Sequence, residues 1–166
     1  DIDMIAGALA ESQRVLVPDY VAAGLGFDRE HWLPRLHDPQ TEWVLATAPD
    51  GAAAGFAGWR YLPPISHLHA LFVAHAHQRR GYGRALLAHH WQAVMQRQPD
   101  TQVFTLHVRE PAVWAQALYA RQGYRFYQAG DEEAWPALET WMTFCQARGM
   151  WPLPAGVRQM FRAAVH

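Results

Sequence analysis

The sequence predicts an α/β (α+β) fold: a mixed, mostly antiparallel central sheet flanked by helices. Three observations carry this. Alternating apolar stretches between turn residues come early and read as a three-strand meander. A strand, helix, strand, helix, strand succession comes next. Between the third strand and the strongest helical pattern stands a short loop, "QRRGYG" (78–83). A long helix between two strands is a crossover, so the strands it joins should run parallel.

In chain order, "DIDMIAGALAESQRVLV" reads as a helix that Asp1 or Asp3 can cap, with Ile5, Leu9 and Leu16 at helical spacing. Its abrupt start leads us to expect an earlier strand upstream. "DREHWLPRLHDP" reads as a second short helix broken at Pro34. "EWVLATA" (42–48), the turn "PDG" and "AAAGFAGWRYL" (52–62) form a hairpin that Pro63 and Pro64 close, and "ISHLHALFV" (65–73) is the third strand. "GYGRALLAHHWQAVMQ" (81–96) is the strong helix, with Leu87, Trp91, Val94 and Met95 on one face. Next come a strand at 101–108, a helix at 112–123 ended by Gly123, and a strand at 124–129. "LETWMTFCQ" (138–146) reads as a last strand and "LPAGVRQMFRAAVH" as a short terminal helix. The expected organisation is one domain over 1–146 and a C-terminal extension over 147–166.

Composition narrows the function. A chain of 166 residues with a formal charge of -1 offers no basic field for nucleic acid or an anionic membrane. No apolar run has the length of a membrane span and nothing at the start reads as a signal peptide. With a single cysteine, Cys145, a cytoplasmic location is expected. All fourteen basic residues are arginine, so no lysine side chain is available for chemistry.

The loop at 74–84 is the first candidate site. A helix start presents unpaired N–H groups and the positive end of the helix dipole, which suits phosphate. Gly81 and Gly83 let a ligand approach the backbone, and Arg79, Arg80 and Arg84 add charge. An ordinary strand-to-helix turn is the plainer alternative. A dinucleotide fingerprint lacks its third glycine here, and a P-loop lacks its lysine.

"LFVAHAHQRRGYGRALL" resembles the Q/R-x-x-G-x-G/A signature of the Gcn5-related N-acetyltransferase (GNAT) family, and "AQALYARQGYRF" is similar to that family's second motif. "DIDMIAGALAES" resembles the segment that comes after the family's first strand. The resemblance implies acetyl-coenzyme A as cosubstrate, with no metal expected. It implies that Gln78, Arg79, Arg80, Gly81, Tyr82, Gly83 and Arg84 hold the pyrophosphate. The backbone of Leu71, Phe72 and Val73 would pair with the pantetheine arm as an added strand. The family often has asparagine where this chain has Ala112.

His67 and His69 share one strand face, about 7 Å apart. An amine must lose a proton before it attacks a thioester, and histidine is a suitable base at neutral pH. "HLHALFV" is similar to the corresponding strand of arylalkylamine (serotonin) N-acetyltransferases. That likeness implies His67 and His69 as a base relay through water and Tyr119 as the general acid. A structural, hydrogen-bonded histidine is the plainer alternative. His75 and His77 form a second H-x-H pair, which raises a rival metal reading, though no carboxylate or cysteine lies near in sequence. His89 and His90 read as helix-surface or partly buried.

For the acceptor, the resemblance implies a lining from Phe27, Trp32, Trp59 and Tyr61, with Trp141 nearby and Glu42 or Asp28 for a cation. The alternative is that these aromatics are packing residues. The expected function is acetyl transfer to a primary, small-molecule amine by direct attack in a ternary complex, and such a lining would suit an aromatic or apolar one. A protein or peptide N-acetyltransferase and a non-catalytic acyl-coenzyme A sensor are the alternatives. A homodimer stays open.

Overall fold

The computed structural model describes residues 34 and 36–164. The first expected helix and the second as far as residue 33, with Phe27, Asp28 and Trp32, lie outside the described residues, while Pro34 and Leu36 are helical. Six strands form one sheet in the order β1-β2-β3-β4-β6-β5. They are β1 Thr41–Thr47, β2 Ala53–Leu62, β3 Ile65–Val73, β4 Val103–Arg109, β5 Arg125–Phe126 and β6 Val157–Ala163. The helices are α1 Tyr82–Arg97, α2 Val113–Arg121, α3 Asp131–Ala134 and α4 Ala137–Gln146. Strand β3 runs parallel to β4 across the α1 crossover, and β6 is antiparallel to both β4 and β5. No helix among the described residues is long and apolar enough to cross a membrane.

Two compact units share these elements. One takes in the described residues up to Trp59 with Ala70–His90, and the other takes in Arg60–His69 with the described residues from Trp91 onwards. In the first, the β1–β2 turn closes through Ala48 and Ala52, with Gly51 at φ 84°. Gly58 is required in β2 because a Cβ there would collide with the Trp43 ring. Leu36, Phe56 and Phe72 form this unit's small core.

In the second unit the core is Ile65, Val103, Ala137, Leu138, Trp141, Cys145 and Phe161. Here two expectations fail. Residues 137–146 are a helix, not a strand: the buried Leu138, Trp141 and Cys145 follow one another at steps of three and four. Residues 157–163 are a strand, not a helix. Val157, Met160, Phe161 and Ala164 mimic helical spacing because β6 is an inner strand, and both Met160 and Phe161 are 1% exposed. The strand at 157–163 sits between β4 and β5. The strand expected over 124–129 reduces to Arg125–Phe126.

Candidate active site

In the first unit β3 ends at Val73, and Ala74 ties back to the Ala54 carbonyl at 2.9 Å. A single 3-10 turn follows at His75–His77. Arg79 then takes φ 60° and Gly81 φ 89°, which reverses the chain into α1. Only glycine adopts the second value without strain. The first α1 bond runs from the Ala85 N–H to the Gly81 carbonyl at 3.0 Å. Among the described residues no acceptor meets the N–H groups of Tyr82, Gly83 and Arg84. Those are the orphan donors every helix start leaves, and the exposed Arg79, Arg80 and Arg84 surround them with positive charge. The exposed Gln78 side-chain amide donates to the Val73 carbonyl at 3.2 Å. The His77 ring meets Tyr82 edge-on at 5.9 Å.

The second unit carries the histidine strand. His67 is buried, and its Nδ1 lies 2.9 Å from the Thr105 hydroxyl on β4. Thr105 Oγ1 in turn lies 3.5 Å from the Ser66 carbonyl. The arrangement that satisfies all three groups runs from His67 Nδ1–H through Thr105 to Ser66, which leaves the basic lone pair on Nε2. The His67 ring stacks on Trp141 at 3.7 Å and 15°. His107 sits edge-on to His67 at 4.8 Å and is tilted against Trp141 at 5.5 Å. Burial lowers the His107 pKa from 6.5 to about 4, so this imidazole is neutral at neutral pH. His69 lies two residues along the same strand face and is half-buried.

Tyr119 stands elsewhere. Its ring contacts Tyr124, Tyr124 accepts from Trp91 Nε1 at 3.2 Å, and the Arg162 guanidinium lies over Trp91 at 4.0 Å. Arg162 is paired with Phe104, one residue out of step with the Thr105–Phe161 pair. Side chains alternate along a strand, so the Tyr119 cluster and the His67 face occupy opposite sides of the sheet. The structure thus brings His67 and His69 to one face and Tyr119 to the other. Burial raises the Tyr119 pKa well above the ordinary tyrosine value, which makes it a standing hydrogen-bond donor.

Other expected residues fall differently. Trp59 is fully buried against His90 at 4.9 Å and His89 at 6.2 Å, which makes it core rather than pocket lining. His90 is likewise completely buried, while His89 is exposed. Tyr61 is buried under the Arg97 guanidinium at 4.3 Å, again a packing role. No group of three or more His, Cys, Asp or Glu side chains gathers as a metal site among the described residues. Thr105, His107 and Gln159 are polar groups of the histidine face that sequence reasoning passed over. A histidine at the inward phase of "TQVFTLHV" was the available signal.

Comparison with solved structures finds the same fold in several acetyltransferases. A PaiA N-acetyltransferase of Thermoplasma acidophilum, solved with coenzyme A, has a TM-score of 0.64 at 13% identity, covering 99% of this chain and 93% of its own. A GNAT-family acetyltransferase of Staphylococcus aureus gives 0.67 at 15% identity, covering 97% and 91%. The ribosomal-protein-S18-alanine N-acetyltransferase of Escherichia coli gives 0.66 at 17% identity, covering 99% and 90%. Comparison with curated proteins finds no match. The profile of the acetyltransferase (GNAT) family matches residues 11–124, a span that includes the open helix start, His67, His69 and Tyr119. On that match the chain belongs to the acetyltransferase (GNAT) family and is an acyltransferase.

Proposed function

We propose that the chain moves an acetyl group from acetyl-coenzyme A to a primary amine by direct attack in a ternary complex. The observation that carries the reading is the start of α1. Its Tyr82, Gly83 and Arg84 N–H groups are unclaimed by described residues, and arginines flank them. A pyrophosphate fits such a cradle without displacing any protein hydrogen bond. Gln78, Arg79, Arg80 and Gly81 complete it, with Gln78 also bracing the strand end through the Val73 carbonyl. The Leu71, Phe72 and Val73 backbone would take the pantetheine arm and polarise the thioester carbonyl.

On the other polar face, His67 and His69 act as the base. The Thr105 contact fixes the His67 ring so that Nε2 takes the ammonium proton, directly or through a water held with His69. The amine nitrogen then bonds to the thioester carbon and the carbon–sulfur bond breaks. Tyr119, buried and protonated, donates a hydrogen bond to the leaving thiolate from the opposite side of the sheet.

The test is thiol release from acetyl-coenzyme A over a panel of small amines and one short peptide. His67→Gln and His69→Ala should lower kcat by about 10²–10⁴-fold with the acetyl-coenzyme A dissociation constant unchanged. Tyr119→Phe should lower it less. Full turnover in all three variants would remove the mechanism. Cofactor binding with no thiol release from any acceptor would make the chain a sensor.

A further inference from the structure

Four buried polar atoms of the histidine face have no hydrogen-bond partner among the described residues: Trp141 Nε1, His107 Nε2, and both Nε2 and Oε1 of Gln159. Gln159 is 3% exposed and Trp141 2%. The sheet register sets Gln159 directly beside His107, and the His107 ring is 5.5 Å from Trp141. Residues opposite one another in an antiparallel pair project their side chains to the same side, so the amide and the imidazole are neighbours. A buried amide with neither end paired destabilises the folded chain, and methionine would fill the same space without that penalty.

We propose that His107, Gln159 and Trp141 form an acceptor subsite beside His67 that takes an amide group carried by the amine substrate. The donor and acceptor inventory selects the chemistry. Trp141 offers one N–H, Gln159 two N–H groups and a carbonyl, and His107 one ring nitrogen that donates or accepts. An amide, with both a carbonyl and an N–H, satisfies such a set; an alkyl group satisfies none of it. Burial keeps His107 neutral, in keeping with an uncharged ligand. This inference rests on the transfer reading above for the amine end of the acceptor.

The experiment is calorimetric binding to protein saturated with coenzyme A, so that no transfer is needed for a readout. The probes are β-alaninamide, its apolar isostere 3-methylbutylamine, its carboxylate counterpart β-alanine, and β-alanylglycinamide. Wild-type protein should bind β-alaninamide about tenfold or more tighter than 3-methylbutylamine, and Gln159→Met should erase most of that preference. Tighter binding of β-alanylglycinamide would assign the amide to a peptide backbone; tighter binding of β-alaninamide would assign it to a small carboxamide. Should Gln159→Met fail to fold, His107→Phe reads the same loss. Equal or better binding of 3-methylbutylamine, preference for β-alanine, or a preference that survives in the folded variants overturns the subsite. Amide preference without thiol release from any amine would leave the subsite standing and remove the transfer reading. Thiol release without amide preference would do the reverse.

Discussion

The start of α1 and the histidine face of the second unit are both polar, yet they hold their polarity in different ways. The helix start is built from backbone: its donors are peptide N–H groups, its charges are exposed arginines, and its shape depends on φ values of 60° at Arg79 and 89° at Gly81. The histidine face is built from side chains sunk in the core, where His67 stacks on Trp141 and His107 leans on both. Exposed donors are satisfied by water until a ligand arrives, so leaving them without a protein partner costs the fold little. Buried groups lack that option, and each one left unpaired costs about 1–3 kcal/mol. The first region should therefore answer to salt and backbone strain, and the second to packing and pH.

The largest effect is expected at Trp141. Trp141→Ala removes a 2% exposed indole that stacks on His67 and on Phe144, and should lower unfolding stability by about 3–5 kcal/mol. Urea denaturation measures this. Coenzyme A affinity of the folded fraction should change little, and a parallel loss of affinity would contradict the separation of the two regions.

Next comes the pH response of His107. Its pKa is about 4 when folded against 6.5 for a free histidine, because burial penalises the imidazolium. Between those values the unfolded chain binds more protons than the folded one, so stability rises with pH across the interval. It is complete above pH 6.5 and is lost as pH falls towards 4. After allowance for the ring's partial exposure the effect should be about 2 kcal/mol. Carboxylates titrate in the same range, so the measurement is the difference between wild type and His107→Phe. A difference flat in pH would show that His107 carries no such penalty.

The two regions also differ in how far the sequence discloses them. The loop at 74–84 is contiguous, so a strand end, three arginines and two glycines before a helix reveal its chemistry without tertiary information. His67 and His69 are readable too, because alternation on one strand places both on one side. Their surroundings are not. Thr105, His107, Trp141 and Gln159 come from two other strands and a helix, and meet through register. Trp141 is named for the acceptor lining, but reading 138–146 as a strand hid its stacking on His67, and reading 157–163 as a helix hid Gln159. An inner strand buried on both sides loses the alternation that identifies strands, and Met160 beside Phe161 then imitates a helix. Trp59 and Tyr61 mislead for the opposite reason: an aromatic that fills a core and one that lines a pocket look alike in sequence.

A smaller effect is expected from Gly81→Ala. A Cβ at that position meets no atom within 4 Å, so space is not the obstacle; the φ of 89° is. The strain is about 1–2 kcal/mol, and should weaken coenzyme A binding roughly tenfold, with kcat at saturation preserved. Fluorescence titration and steady-state kinetics separate the two. A fall in kcat at unchanged affinity would mean that the loop serves the chemistry and not the cofactor.

The smallest effect belongs to Arg80→Ala. The side chain is exposed, so its attraction for a phosphate acts through water and is screened by salt. Affinity for coenzyme A should fall about threefold at low ionic strength, and the difference should close as salt approaches 1 M. The backbone donors would keep their share of the binding throughout, because N–H groups aimed at the ligand from the helix start lose far less to screening than an exposed side chain does. A loss that is large and insensitive to salt would mean that Arg80 becomes buried against the ligand. The helix start would then resemble the histidine face in depending on desolvated side chains, and the contrast between the two regions would be one of degree.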